Sequence, residues 1–564
     1  MKKLGNIKEW EISRRTFWVL AACVFAAKAI LGWQQNIYIW VGGAPLDDEL
    51  MYRAAQSITA GGWLGAYNYL TLSKQMFFAV WLAFCHAVHL PYLIAGQLLG
   101  CGAALAMAGA FAPVLKKRLH RFLLFALLAF SPAAGASFTL RVYRDNIFPA
   151  ECLLLFAGLT AVALRWRTGV KSWWGWLVLA GAGFGLAKIT REDGVWLAPF
   201  AILGTVIILI AVWREKGFDL RQKALRSAAL ALPFALLAAC VCAMSAMNLH
   251  YYGVFTTSDF SEGSFAAAYG AMTRIEHEND DPQVPVPADV REKLYEAVPA
   301  LAQLRPWLEE NDRIRNGYLN ADKGDYMAGS FYWVLRRAAQ EAGVYDTAAK
   351  AAAYWQGVAD AINAAIADGT LTAAYGPRST TTPVIKAYYI APTLAETARS
   401  VVYCATFQDC KCYYDTAKGL SLATPEDAAA YAAYLGSSAN YAAVENGDTP
   451  YYAGRQLLVY RCFDALRWVY AVLVPVLLCA AAVLQLRRLA AMIKARSAEG
   501  LVLWLVLLGL LGMALLRCAM IAFMEVSAFN IGTYVMYLST VHPLLIAFGA
   551  AGVLTELPHK KGEV

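Results

Sequence analysis

The chain has 564 residues, of which 59% are hydrophobic and 16% charged, and its mean hydropathy is +0.44. A soluble domain carries about 25% charged residues, and repeated apolar runs of about 17–25 residues read as membrane spans. The net charge of +8 does not indicate nucleic acid, because the basic residues sit in short loops between apolar runs, where they set orientation.

The start, MKKLGNIKEWEISRR, carries Lys2, Lys3, Lys8, Arg14 and Arg15 and leads into an apolar run over 16–40. It reads as a signal anchor without a small-residue cleavage site, with the N-terminus in the cytoplasm. GGAPLDDELMYRAAQS (42–57) then delivers Asp47, Asp48 and Glu49 to the outside. Three adjacent carboxylates repel one another and gain nothing from lipid.

Next come two apolar stretches, MFFAVWLAFCHAVHL (76–90) and LIAGQLLGCGAALAMAGAFAPVL (93–115), before the basic cluster KKRLHR (116–121). The charge rule leaves room for one crossing. The first stretch is short, carries His86 and His89 and is stopped by Pro91, so it reads as a helix in or dipping into the outer interface. The alternative is two crossings that break the charge rule.

Paired spans over 122–139 with 147–164, and 174–190 with 195–213, flank the outer tips RVYRDN (141–146) and TREDG (190–194). RWRTGVK (165–171) and REKGFDLRQKALR (214–226) face the cytoplasm. A span over 227–247 leads to a long polar segment, and spans over 465–486, 501–523 and 532–555 follow, with RRLAAMIKAR (487–496) and the tail HKKGEV inside.

The pattern predicts an α-helical polytopic membrane protein of the plasma membrane with about ten transmembrane helices. It divides into an N-terminal transmembrane catalytic module (1–247) with a first outer loop (41–91), an extracytoplasmic domain (248–463), and C-terminal transmembrane helices (464–564). The middle segment reads as mainly helical. YDTAAKAAAYWQGVADAINAAIADG (345–369) is helix-patterned, and TPEDAAAYAAYLG (424–436) has a Thr cap, Pro at the first position, early acids and a closing Gly. EHENDDPQVPVPAD (276–289) reads as a mobile loop. In CATFQDCKC, Cys404, Cys410 and Cys412 have the spacing for a disulfide in an extracytoplasmic loop, with no His near enough to suggest zinc.

The outer ends of the spans gather Asp47, Asp48, Glu49, the RVYRDN and TREDG tips, Glu525 and His542. Ionisable groups at membrane depth are costly and mark functional sites. Nucleotide sugars are not available on that face, where envelope glycosylation uses sugars carried on polyprenyl phosphate. Transfer to a hydroxyl needs a carboxylate to take the proton and cations to stabilise the departing phosphate. Asp47 or Asp48 supplies the first; Lys74, Arg144 and Arg191 supply the second.

Over residues 15–200 this layout resembles the GT-C superfamily of polyprenyl-phosphate-sugar glycosyltransferases, most of all its protein O-mannosyltransferase and aminoarabinose-transferase branch. LDDELMYRAAQSITAGGWLGAYNYLTLSKQMFFAVWLA (46–83) is similar to the family's first outer loop, with Asp47 or Asp48 in the place of its base. LSKQMFFAVW keeps the lysine, Lys74, of a Lys-Pro-Pro segment but lacks the prolines. RVYRDNIFPAE supplies Asp145 in the second loop, and ITREDGVWLAP, with Arg191, Glu192 and Asp193, replaces a TKG-like turn.

The resemblance implies an inverting transferase that moves one sugar to an extracytoplasmic glycan, teichoic-acid-like polymer, lipid or protein. In it Arg144 and Arg191 hold the lipid phosphate. The resemblance admits a divalent metal between Asp48 (or Asp47) and Asp145, although several members need none, and calls for no other cofactor. Residues 248–463 become the acceptor-recognising part, with Trp333, Trp355 and Tyr388 available to stack on sugars or simply to pack a core. Two rival readings are a polymerase or ligase of lipid-linked glycans, and a transporter or flippase, which calls for repeated halves and midplane charges. No repeat is present, and Arg517 is the main ionisable residue within a span.

Overall fold

A computed structural model of the chain describes residues 11–39, 46–260, 262–278, 281–411, 423–439, 454–529 and 536–557. Lys2, Lys3, Lys8, Cys412 and the HKKGEV tail lie outside the described residues. Seven helical stretches among them are long and apolar enough to cross a membrane: 14–33, 92–110, 144–164, 192–214, 220–252, 455–495 and 501–529. The protein is a multi-pass, all-helical membrane protein; isolated bridges are the only β-structure among the described residues.

Local sequence sets the helix boundaries. Ser13 caps α1 (Arg14–Trp33) by accepting from the Thr16 amide at 3.0 Å. α2 (Asp48–Thr59) opens on Asp48 and Glu49, the charge sign that a helix N-terminus favours. α3 (Phe77–Ala87) has 11 residues. At about 1.5 Å per residue it is shorter than a hydrocarbon core about 30 Å thick. α4 (Tyr92–Ala110) follows it.

α5 (Arg118–Ala129) stops ten residues before the end expected for its span (139), and the cause is local. Ser131 takes the extended conformation that the next residue, Pro132, imposes. The chain then runs through a 3₁₀ turn, Pro132–Gly135, into the four-residue α6 (Ser137–Leu140).

α7 (Phe148–Leu164), α8 (Trp174–Thr190), α9 (Ala198–Arg214), α10 (Leu220–Ala229) and α11 (Leu232–Tyr252) complete the N-terminal half. α7, α8 and α11 touch almost backbone to backbone. A Cβ on Gly183 of α8 would sit 2.6 Å from the Glu151 carbonyl oxygen of α7, and one on Gly181 would sit 2.9 Å from Pro233 Cα of α11. Only glycine allows that approach, and it lays the end of α8 beside the start of α7.

α12 (Gly263–Met272), α13 (Ala288–Ala297), α14 (Pro299–Ala302), α15 (Asp312–Tyr318), α16 (Ala328–Glu341) and α17 (Ala348–Ala367) enclose a separate core around Phe265, Tyr269, Leu335, Trp355 and Ile362. The stretch over 276–289 is anchored there rather than loose, apart from residues 279 and 280, which are not described. Val284 and Val286 are buried, and the Gln283 carbonyl accepts the Ala328 amide at 2.9 Å.

α18 (Ile390–Ala405) leaves that core for the apolar bundle, where Tyr403, Cys404 and Phe407 are buried. α19 (Pro425–Leu435) has the capping box on Thr424 and the left-handed Gly436 (φ 59°) that its sequence calls for. It stacks Tyr431 on Tyr52 of α2 with ring centroids 3.6 Å apart. α20 (Arg455–Ala495) continues through most of RRLAAMIKAR, expected as a loop, because nothing in that stretch stops a helix. α21 (Leu501–Met524) and α22 (Val541–Leu554) pack on it and on each other.

With α3 lying in the interface and the chain over 118–140 crossing as α5 and the turns after it, Arg53 and Arg167 are expected on opposite sides of the membrane. Single cysteines at exposed Arg53 and Glu310, in a background without native thiols, should label with an impermeant reagent from one face, and one at exposed Arg167 only from the other. Labelling of Arg53 and Arg167 from the same face would mean that α3 crosses or that the chain over 118–140 does not.

Candidate active site

The contact between the start of α7 and the end of α8 is sealed by two crossed ion pairs. Arg144 donates to both Glu192 oxygens at 2.9 and 2.8 Å and to the Thr190 carbonyl at 3.3 Å. Arg191 reaches back to Asp145 Oδ1 at 3.1 Å and also holds Asp193 at 3.1 and 3.3 Å. Arg517, from within α21, meets the same Asp193 at 2.7 Å. Ser539, just before α22, donates to Asp145 Oδ1 at 3.4 Å. Arg144, Asp145, Arg191 and Arg517 are all buried.

The loop that leads into α2 joins this web through a short parallel pairing. Tyr38 bridges to Arg141, the Tyr38 amide donating to the Leu140 carbonyl at 3.1 Å and the Val142 amide to the Tyr38 carbonyl at 2.9 Å. Arg141 is thereby aimed at Asp48, with Nε 2.8 Å from each carboxylate oxygen. Asp47 turns the other way, pairing with Lys74 and accepting from the Tyr143 hydroxyl at 2.8 Å. That hydroxyl in turn accepts from Arg144 at 2.6 Å and from Lys74 at 3.1 Å.

The two neighbours differ sharply in access. The Asp48 side chain is 0% exposed and that of Asp47 35%. Burial lifts the Asp48 carboxyl to about 6, against the pull of Arg141. Burial acts upward on Asp47 too, but Lys74, Arg141 and Arg144 together hold it below the usual carboxylate range. Asp47 therefore stays ionised where Asp48 begins to take up a proton.

The loop that carries Lys74 is gripped from above by α16. Arg336 donates to the carbonyls of Tyr69 at 2.7 Å and Thr71 at 3.5 Å while paired with Asp259 at 2.8 Å. Tyr332 donates to the Ser73 carbonyl at 3.2 Å, and the Trp333 ring lies 5.2 Å from the Lys74 ammonium. Between these grips Leu72 sits at φ 61°, and its carbonyl accepts the Asp259 amide at 2.9 Å. A bulky residue in the left-handed region costs about 1–3 kcal/mol and persists only where its surroundings over-determine it. Gln75 closes the circuit, its amide donating to Glu192 at 2.7 Å.

Asp47, Asp48, Lys74, Arg144, Asp145, Arg191, Glu192 and Asp193 thus lie in one connected network. His542 does not join it: the imidazole is buried against Cys410 Sγ at 3.1 Å and the Phe407 ring at 4.9 Å, on the bundle side of α22. Among the described residues neither Cys404 nor Cys410 takes part in a disulfide. Trp355 is core, bonded to the Tyr345 hydroxyl at 2.9 Å. Tyr388 is half exposed.

A metal does not fit between Asp48 and Asp145. Arginines occupy both oxygens of Asp48 and Oδ1 of Asp145, and no group of three or more His, Cys, Asp or Glu placed to hold an ion occurs among the described residues. Sequence reasoning missed Arg141 and Tyr143, although both belong to RVYRDN. It also left Arg517 without a partner and overlooked Trp333 as the cover on Lys74.

Removing one member of a buried pair strands the other. Arg191→Ala leaves Asp145 and Asp193 short of a cation and should lower stability by about 3–5 kcal/mol, read by thermal unfolding in detergent. Arg53→Ala, which breaks the largely exposed pair to Glu49, should cost less than about 0.5 kcal/mol. Equal effects would mean that the Arg191 pairs are hydrated.

No known family profile and no curated protein matches the chain. Two solved structures are similar to it: ArnT from Cupriavidus metallidurans in the apo state, and the same protein bound to undecaprenyl phosphate. Each shares 12% identity, over 95% and 96% of this chain and 78% and 79% of theirs. The TM-scores are 0.29 and 0.27, too low for roles to be carried across.

Proposed function

We propose that the protein is a GT-C-like membrane glycosyltransferase that moves a sugar from a polyprenyl-phosphate donor to an extracytoplasmic acceptor. The observation that supports this most is the charge-balanced web at the ends of the membrane helices. Lys74, Arg141, Arg144, Arg191 and Arg517 face Asp47, Asp48, Asp145, Glu192 and Asp193, five cations against five carboxylates. Asp47 is the one of the two first-loop aspartates that is open to an incoming hydroxyl.

In this reading the acceptor hydroxyl gives its proton to Asp47 and attacks the anomeric carbon, while the bond from that carbon to the phosphate oxygen breaks. The departing phosphate gains one negative charge. Protonated Asp47 no longer attracts Lys74, so proton transfer itself frees a cation for the leaving group. Asp48 holds Arg141 beside this pair and keeps it in place. Arg144 and Arg191 orient the loops rather than wait unpaired for phosphate, because carboxylates already occupy both.

Lys28 and Glu151, both buried inside membrane helices, favour a second reading as a transporter, since charges at that depth often line an ion or substrate path. Flux without transfer in proteoliposomes would support it.

The two aspartates separate by substitution and by pH. Asp47→Asn should lower transfer by about 10²–10⁴ at every pH. Wild-type transfer should fall below about pH 6, where Asp48 protonates and loosens its hold on Arg141 while Asp47 stays ionised. Asp48→Asn should retain measurable transfer and lose that acid limb. If Asp48→Asn is the inactive variant and Asp47→Asn the active one, the roles are reversed.

A further inference from the structure

A cavity of about 90 Å³ lies inside the bundle, between α1, α4, the end of α5 and the start of α7, and Asp145 forms part of its wall. Asp145 thus belongs at once to the ion-pair web and to this chamber. Its Oδ1 takes Arg191 and Ser539, whereas its Oδ2 has no hydrogen-bond partner among the described residues.

Three more wall residues share that property. Gln97 donates its amide nitrogen to the Ala134 carbonyl at 2.7 Å, and Asn146 donates its own to the Thr139 carbonyl at 3.0 Å. A carbonyl partner fixes which end of each amide is nitrogen, so the ends left over, Gln97 Oε1 and Asn146 Oδ1, are acceptors. Neither has a partner among the described residues, and the same holds for Ser131 Oγ. Gln97, Ser131, Asp145 and Asn146 are all more than nine-tenths buried. Gly96 makes room for this arrangement, since a Cβ there would collide with the Asn146 carboxamide.

The polar part of this largely apolar wall, two amide oxygens, a hydroxyl and one carboxylate, repels phosphate and asks for O–H donors. Lys28, buried in α1, brings an ammonium to the wall, with the Phe463 and Phe130 rings 5.7 and 5.9 Å from it. Groups that both donate and accept on one compact body are the hydroxyls of a sugar ring. The chamber also exceeds what one or two structural waters need, about 10–15 Å³ each on the same measure.

We infer that this cavity is a monosaccharide-binding site, in which Gln97, Ser131, Asp145 and Asn146 accept hydrogen bonds from the ring hydroxyls and Lys28 donates one. Resting on the glycosyltransferase reading, it would seat the sugar of the donor, with the phosphate left at the cationic web beyond Asp145.

Saturation-transfer NMR on the full chain in nanodiscs tests this with glucose, galactose, mannose, arabinose and N-acetylglucosamine as probes and empty nanodiscs as control. At least one sugar should receive saturation, and inorganic phosphate should not compete it away. Ser131→Ala and Gly96→Ala should each weaken that sugar about tenfold, the value of one buried hydrogen bond. Ser131→Ala should do so with an unchanged unfolding temperature, because that hydroxyl serves no partner among the described residues. No saturation of any sugar, competition by phosphate, or wild-type affinity in a folded Ser131→Ala protein would overturn the site. Sugar binding in a protein that transfers nothing from polyprenyl-phosphate sugars would keep the site and remove the donor reading. Transfer with no sugar binding would do the reverse.

Discussion

The architecture depends on the place where α7 and α8 exchange charges. Arg144 and Arg191 are buried among helices that offer little water, and each is tolerable only because a carboxylate of the neighbouring segment meets it. Those carboxylates arrive only if the two helices lie almost backbone to backbone, which in turn needs Gly183. Glycine packing, helix pairing and charge pairing are one constraint seen at three scales. The first loop is fastened to the result, through Arg141 onto Asp48 and through Gln75 onto Glu192.

A web with equal numbers of cations and carboxylates is stable when nothing is bound, and for that reason it resists an anion. A phosphate can join it only by displacing a carboxylate or by meeting one that has become neutral. In the proposed transfer Asp47 and Lys74 are the pair suited to yield, being the more open end of the network. The rest is buried deeply enough to keep its geometry while they change partners.

Much of this was legible in the sequence. Hydropathy marked the membrane helices, Pro91 and the short run before it marked α3 as a short helix, and the acidic and basic tips marked the network. Thr424, Pro425 and Gly436 announced α19. What was not legible was partnership across distance. Nothing in RVYRDN says that Arg141 reaches Asp48, because that follows from a two-residue pairing with Tyr38. The grip of Arg336 on Tyr69 joins segments 267 residues apart. His542, polar near a helix end, packs against Cys410 and Phe407 away from the network, a placement that polarity alone does not reveal. α5 looked like a full span because hydropathy ignores the backbone demands of Ser131-Pro132.

The left-handed Leu72 has a consequence for how such a protein can change. Its backbone is held in an unfavourable shape by Asp259 and by α16, and Lys74 is two residues away. A replacement for the domain of α12–α17 would have to bring its own hold on Tyr69, Thr71 and Ser73, or the loop would relax and carry the lysine off its aspartate. Wholesale exchange of that domain is therefore closed to this scaffold. Drift in the surfaces of α13, α15 and α17, which leave that hold untouched, is the route that stays open.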